Sequence, residues 1–185
     1  FYFALNPRFN QNINEEYFND FDVTIYRDRF GVPHIIGKKD KDTAYGLAYA
    51  HAEDDFETIQ HMMLFARGKL ASKKGKKMAS SDYLLQLLKV WEVVNANFDS
   101  NISVETKSIL NGYAAGLNHY ALKNPKMTYR GLFPVTAKDI VAGFVHRMPL
   151  MFGLDNAIKN VTVKTESDLA FLNNNTKGFD QKVLG

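Results

Sequence analysis

Apolar and polar residues alternate along two short stretches near the start of the chain. Val23 and Ile25 alternate with polar neighbours, and a second run reaches Ile35 after Gly31 and Pro33. A period of two turns one face of a strand inward, and a glycine between two such runs supplies the turn. Proline cannot donate a backbone hydrogen bond, so it restricts the second strand to an edge. The pattern predicts an antiparallel β-hairpin.

From residue 43 onward, apolar residues recur every three or four positions, which predicts amphipathic helices. Asp42 is the predicted cap of a first helix that begins at Thr43. A second apolar stripe follows Asp54 and Asp55, and it either continues that helix or begins a new one. The basic tract at residues 72–77 is predicted to be a loop.

Three later helices are expected. Their predicted caps are Ser80 or Ser81, Ser103, and Thr136 with Asp139 as a capping box. The first of these helices is predicted to run unbroken through residues 84–94. Asn124 and the following proline should end the second, and Pro149 should kink or end the third.

The fold class is therefore α+β, mostly helical with one small hairpin. The chain is read as a single unit with residues 1–22 as an N-terminal arm; residues 23–155, the family core, and about 166–185, a tail or possible spacer remnant, are delimited by the resemblance described below. Gly112 and Gly116 lie on one helical face and predict a tight contact with another helix. At 45% hydrophobic residues and 185 residues in all, one core can be built.

Composition excludes several classes of function. No apolar run is long enough to cross a membrane. The absence of cysteine excludes disulfides, thiolate zinc sites and a cysteine nucleophile, and a net charge of +3 gives no strong field. The five histidines are scattered without metal-ligand spacing. We therefore read them as structural, and read the acidic cluster at residues 53–55 and the basic tract as solvated surface.

One apolar tract, residues 148–152, stands out because it combines methionine, proline and phenylalanine. Such a kinked, adaptable segment can line an acyl pocket, although plain core is the simpler reading. Nothing in the sequence presents a nucleophile beside a base. On the residues alone, the chain is a helical unit without a catalytic centre.

Five blocks, in order, resemble the α chain of the penicillin acylase family. They are residues 27–35, 42–54, 66–71, 112–118 and 133–139. The resemblance covers about residues 23–155. It implies an N-terminal nucleophile hydrolase of αββα architecture, made as one precursor. In that family, self-cleavage frees a serine as the first residue of a β chain, whose hydroxyl attacks the amide with its own amino group as base.

The resemblance also implies where the site residues lie. No catalytic residue is expected in this chain, because the serine would follow the processing site at Gly185. Met148, Met151 and Phe152 match positions that contact the acyl group, and Met151 replaces an arginine of penicillin G acylases. The family binds a structural calcium ion near this point, where Asp155 is a weak substitute for the usual glutamate. No metal ligand or cofactor is therefore predicted, although a structural calcium ion is admitted.

The predicted function is that of the α subunit of a bacterial periplasmic or secreted amidohydrolase. N-acyl-homoserine lactones are the expected substrates, and the β subunit is the expected partner. The alternative is a penicillin or cephalosporin acylase. A remote alternative is a basic helical module that uses residues 73–77 on nucleic acid or anionic lipid.

Overall fold

The structure, a computed structural model, describes residues 15–154. A 3-10 turn, Glu15–Asp20, precedes the strands β1 (Val23–Arg27) and β2 (Pro33–Gly37). The helices are α1 (Asp40–Ala66), α2 (Ala71–Lys74), α3 (Ala79–Leu87), α4 (Val90–Asn101), α5 (Val104–Lys123) and α6 (Ala137–Met151), with a second 3-10 turn at Lys76–Met78. The predicted class, mostly helical with one antiparallel hairpin, is confirmed.

The hairpin has the predicted register and lies on α1. Ile25 pairs with Ile35 and Val23 with Gly37, and the turn contains Gly31 at a φ of +83°. Gly46 on α1 allows the close approach, because a Cβ there would lie 2.7 Å from a methyl of Val23 and 2.8 Å from one of Ile35. The inward faces of both strands thus pack directly on the helix backbone.

Arg27 ties the end of β1 to the middle of α1. Its guanidinium lies 3.1 Å from the Glu53 carboxylate and 2.9 Å from that of Asp54, and it donates to the Ala50 carbonyl at 3.3 Å. Two carboxylates therefore surround one cation at the helix surface. The acidic cluster read as solvated surface serves as an anchor for the hairpin.

Helix α1 starts earlier than predicted and is kinked. Lys39, not Asp42, is the cap, and the Asp42 carboxylate accepts the Lys39 N–H at 3.0 Å from inside the first turn. Asp55 leaves helical geometry with φ −150° and ψ 70°, and its carboxylate accepts the Thr58 N–H at 3.1 Å. The second stripe therefore continues the first helix across a kink, with Asp55 acting as an internal cap.

Helix α5 packs on α1 through the two glycines that the sequence singled out. A Cβ on Gly112 would overlap the Lys41 carbonyl oxygen, and one on Gly116 would overlap the carbonyl oxygen of Tyr45. The predicted tight contact is confirmed, with α1 as the partner. Ser103 also caps α5 as predicted, accepting the Thr106 N–H at 3.1 Å.

Two predictions about the middle of the chain were wrong. Neither Ser80 nor Ser81 caps α3, which follows Met78, and the helix is interrupted at Lys89, whose φ is +50°. The tract at residues 72–77 is not an open loop, since it holds α2 and a 3-10 turn separated by a glycine. The carboxylate of Asp82 accepts the N–H groups of Leu70 and Ala71 and so fixes the start of α2.

A buried ion pair joins the end of α1 to the start of α6. Arg67 Nε donates to Asp139 at 2.6 Å, and the other guanidinium nitrogens reach the carbonyls of Leu132 at 2.5 Å and Pro134 at 2.9 Å. Asp139 also accepts the Thr136 N–H at 2.7 Å, which completes the predicted capping box. Two carbonyls and one N–H thus converge on the pair, whose carboxylate is buried and whose guanidinium is partly buried.

Helix α6 continues to Met151 with Pro149 inside it. The helix therefore continues past the proline. In its last turn the Phe152 N–H donates to the Met148 carbonyl at 3.2 Å. Across residues 15–154, no helix is long and apolar enough to cross a membrane.

Candidate functional site

A cavity of about 470 Å³ opens between α1, α5 and α6, and we call it the apolar groove. Each helix contributes side chains spaced three or four residues apart, which places them on one face. They include Ile59, Met62 and Met63 from α1, Leu110, Tyr113 and Leu117 from α5, and Ile140, Phe144 and Arg147 from α6. The groove can bind an apolar group, and among these side chains none is a nucleophile.

Four polar side chains are among those that line the groove: His51, Thr58, Tyr113 and Arg147. The Tyr113 hydroxyl lies 3.0 Å from His51 Nδ1, and burial raises the pKa of Tyr113, so its phenol remains neutral. Arg147, which also lines the groove, makes no ion pair or hydrogen bond with any residue in the described range 15–154. The groove is thus a mainly apolar surface with a cation that has no ionic partner among residues 15–154.

The predicted acyl-contact residues lie beside the groove rather than inside it. Met148, Met151 and Phe152 are 43%, 67% and 81% exposed at the end of α6, and none of them lines the cavity. Met151 follows Phe144 and Arg147 along the same helical face, at spacings of three and four residues. Met151 thus shares a helical face with two groove residues, and the role of Met148, Met151 and Phe152 stays a prediction.

Sequence reasoning missed Phe144 and Arg147 as members of this surface. Their helical spacing was visible, but it indicated only an apolar face and not an open one. Gly185 and Asp155 lie outside the described residues. Within residues 15–154 no three His, Asp or Glu side chains are grouped to hold a metal ion, and the calcium expectation stays a prediction.

Four of the five histidines make contacts with polar or aromatic neighbours that account for their positions. The pairs are His34 with Asp28, His51 with Tyr113, His61 with Tyr129, and His119 with Tyr45. Burial lowers the pKa of His61 and of His119, which favours their neutral forms. These contacts are scattered over the molecule and do not converge on one point.

The fifth histidine, His146, is completely buried in α6. Its ring stacks on Phe65 with centroids 4.0 Å apart, and neither nitrogen makes a hydrogen bond of ordinary geometry. Burial lowers the pKa of His146, while a backbone group of Phe65 and the charge of Asp82 oppose that effect more weakly. The neutral imidazole is therefore the form that the fold accepts.

We expect His146→Leu to reduce the loss of stability in acid. Because its pKa is lowered on folding, the unfolded chain binds more protons below about pH 6.5, so stability falls as pH drops toward the folded-state pKa. Melting temperatures measured between about pH 5 and about pH 8 should show a shallower slope in the variant. An unchanged slope in His146→Leu would contradict this assignment.

A second cavity, of about 300 Å³, lies beside the basic tract. Two of its cations have partners in the chain: Arg67 binds Asp139, and Lys73 lies over the Tyr129 ring at 4.6 Å. Lys74, nearby, is 3.8 Å from the Glu57 carboxylate. Arg67, Lys73 and Lys74 thus already interact with groups of the same chain.

The described residues 15–154 form a helical layer with an exposed apolar groove. The chain belongs to the penicillin amidase family, whose model matches residues 22–165. The five sequence blocks fall within this match. The suspected family is therefore confirmed.

Curated relatives carry two kinds of name. Penicillin acylase 2 proenzyme of Pseudomonas sp. is 30% identical over 98 residues, covering 53% of this chain and 12% of that protein. Acyl-homoserine lactone acylase PvdQ of Pseudomonas fluorescens is 29% identical over 104 residues, covering 52% and 13%. Acyl-homoserine lactone acylase QuiP of Pseudomonas putida is 28% identical over 101 residues, covering 55% and 12%. The chain thus spans about an eighth of the length of these relatives.

A solved structure shows the same fold. A thermostable penicillin G acylase from Alcaligenes faecalis matches with a TM-score of 0.55 and 18% identity. The match covers 83% of this chain and 90% of that chain, so the two chains are close in length. The described helices and hairpin therefore have the arrangement found in an N-terminal nucleophile hydrolase.

Proposed function

We propose that this chain is the α subunit of a two-chain enzyme that hydrolyses the amide bond of N-acylated small molecules. The family match over residues 22–165 carries the proposal. It is supported by a solved family chain of similar length and by relatives that are much longer and include a proenzyme. The partner would be a β subunit from the same precursor.

In this proposal the two subunits divide the work. The β-chain serine hydroxyl attacks the amide carbonyl and its own amino group takes the proton. The amine then leaves, and water hydrolyses the acyl ester. This chain supplies apolar contacts to the acyl group through Met148, Met151 and Phe152, whose exposure in the described chain leaves them accessible to a ligand or partner. The enzyme needs no cofactor for these steps, and a structural calcium ion remains compatible with them.

N-acyl-homoserine lactones are the proposed substrates. Two observations favour them: PvdQ and QuiP are among the relatives, and the exposed end of α6 is apolar and uncharged at Met151. A flexible acyl chain gains from apolar contact along its length. Penicillin acylase activity is the second candidate, because one relative with 30% identity carries that name. Hydrolysis of such signals would take place in the periplasm or outside the cell.

The test begins with the complete gene. Its purified product should contain a second chain that begins with serine, detected by intact-mass measurement and N-terminal sequencing. Turnover of N-acyl-homoserine lactones and of penicillin G should then be compared on the same preparation. Higher kcat/KM for the lactones supports the proposal. A preference for penicillin G favours the second candidate, and a product with one chain and no amidase activity contradicts both.

We expect Met151→Arg to lower kcat/KM for long-chain acyl-homoserine lactones by roughly tenfold, since a charged side chain replaces apolar contact with the acyl group. Met151 is 67% exposed, so the change should leave folding intact. Steady-state kinetics on the assembled enzyme measure the effect. The matched control is Met127→Arg, at another exposed methionine far from α6 in sequence, and it should keep wild-type kinetics. Equal kinetics in the two variants would remove Met151 from the proposed pocket.

A further inference from the structure

The second cavity, which we call the basic cavity, is lined by four cations from two distant parts of the chain. Arg67 and Lys69 follow α1, Lys73 lies in α2, and Arg130 lies in the turn before α6. Among residues 15–154 no Asp or Glu side chain lines it. Its volume of about 300 Å³ is at the lower end of the range for small-molecule sites. A concave surface lined by cations without carboxylates favours a small anion.

The charges of Lys69 and Lys73 are not neutralised within the described part of the chain. Neither amino group makes an ion pair or hydrogen bond with a carboxylate of residues 15–154. Lys73 lies over the Tyr129 ring, a contact that leaves its charge intact. Arg67 differs, because Asp139 neutralises it. Two amino groups without a counter-charge match a phosphate monoester, which carries a charge of about −1.5 to −2 at pH 7.

Buried hydrogen bonds join the two sides of the basic cavity. Gln60, which is 1% exposed, accepts the Tyr129 N–H at 2.5 Å. The Arg67 guanidinium donates to the Leu132 carbonyl at 2.5 Å. Both contacts tie α1 to the turn at residues 129–132. The backbone around the cavity is therefore already ordered, which reduces the entropy that a ligand loses by ordering its own site.

We infer that the basic cavity binds the phosphate group of a small molecule, with Lys69 and Lys73 as its charged ligands. Lysine binds phosphate as a point charge with three donors. Leu64 and Leu132, both buried, also line the cavity and offer contact to the carbon part of such a molecule. A small molecule is favoured over a nucleic-acid strand, since the cations line a cavity and not an extended stripe. This site goes beyond the proposed function, because hydrolysis of an acyl amide uses no phosphate.

The test is calorimetric titration of the product of the complete gene with inorganic phosphate and with glycerol 3-phosphate, at constant ionic strength. One saturable site per copy of this chain is expected. Combining Lys69→Met with Lys73→Met should weaken binding at least about tenfold, because two charge-assisted hydrogen bonds are lost. The control combines Lys76→Met with Lys77→Met, which removes the same charge at nearby exposed positions that do not line the cavity. It should bind like the wild type. Equal weakening in the two double variants, or no saturable binding, would overturn the inference.

A second measurement uses the wild-type protein and so does not depend on how the variants fold. Inorganic phosphate should protect Lys69 and Lys73 from acetylation by acetic anhydride and leave Lys76 and Lys77 reactive, as measured by peptide mass spectrometry. Equal labelling of Lys69 and Lys73 with and without phosphate overturns the inference. Binding to phosphatidylglycerol vesicles without binding of either soluble phosphate also overturns it, since the cations would then contact a membrane surface. None of these measurements needs amidase activity, so this inference and the proposed function can fail separately.

Discussion

Gly116→Ala should destabilise the protein by about 3 kcal/mol, at the upper end of the cost of overpacking. A Cβ at this position overlaps the Tyr45 carbonyl oxygen and lies 2.9 Å from the Ala48 Cβ. Both atoms belong to α1, and the carbonyl is part of its backbone, so no rotamer change relieves the clash. The two helices must separate. Thermal or urea unfolding of the purified protein measures the loss.

Gly143→Ala is the matched control, because it makes the same chemical change in another helix. A Cβ at Gly143 meets only the Ala66 Cβ, at an ordinary distance of 3.6 Å. Alanine also has the higher helix propensity, by about 0.5 to 1 kcal/mol. This variant should be as stable as the wild type or slightly more stable. If both variants lose the same stability, the helix contact is not the cause.

The second large effect is expected at the buried ion pair, where Arg67→Met should cost about 3 kcal/mol or more. The change leaves the carboxylate of Asp139, which is 2% exposed, without its cation. It also removes the donors to the Leu132 and Pro134 carbonyls, so three acceptors lose partners at once. The Thr136 N–H still reaches Asp139 and keeps the loss from being larger.

An exposed pair provides the comparison for Arg67→Met. Lys38 lies 3.7 Å from Asp22, with the two side chains 73% and 76% exposed. Lys38→Met should therefore cost less than about 1 kcal/mol, since exposed ion pairs contribute little. In unfolding curves recorded under the same conditions, the midpoint of Arg67→Met should lie well below that of Lys38→Met. Similar midpoints would show that burial does not determine the value of the Arg67 pair.

Local signals in the sequence predicted local structure well. Ser103 has only one role available, since a hydroxyl before an apolar stripe accepts a free N–H of the first turn, and it does so. Asp42 was misplaced because a carboxylate can cap from the N-cap or reach back from the third helical position. Lys89 was missed because a left-handed lysine has no sequence signature.

Contacts between distant residues could not be predicted in the same way. Arg67 and Asp139 are 72 positions apart, and nothing local to either indicates the other. Gly112 and Gly116 did predict a close helix contact, but not that α1 would provide it. The groove is formed by side chains of three helices, so the sequence of no single helix could predict it. For that reason, family resemblance supplied the functional prediction, while the geometry added Phe144 and Arg147 to it.

Pro149 has a mechanical consequence for the end of α6. Proline has no N–H, so the Val145 carbonyl lacks the donor that a regular helix would offer it four residues ahead. The turn that carries Met151 and Phe152 is therefore joined to the rest of α6 by one backbone hydrogen bond fewer than the last turn of an uninterrupted helix would be. We expect this last turn to change its angle relative to the rest of α6 when a ligand or partner contacts it, while Gly143 and Phe144 stay in place.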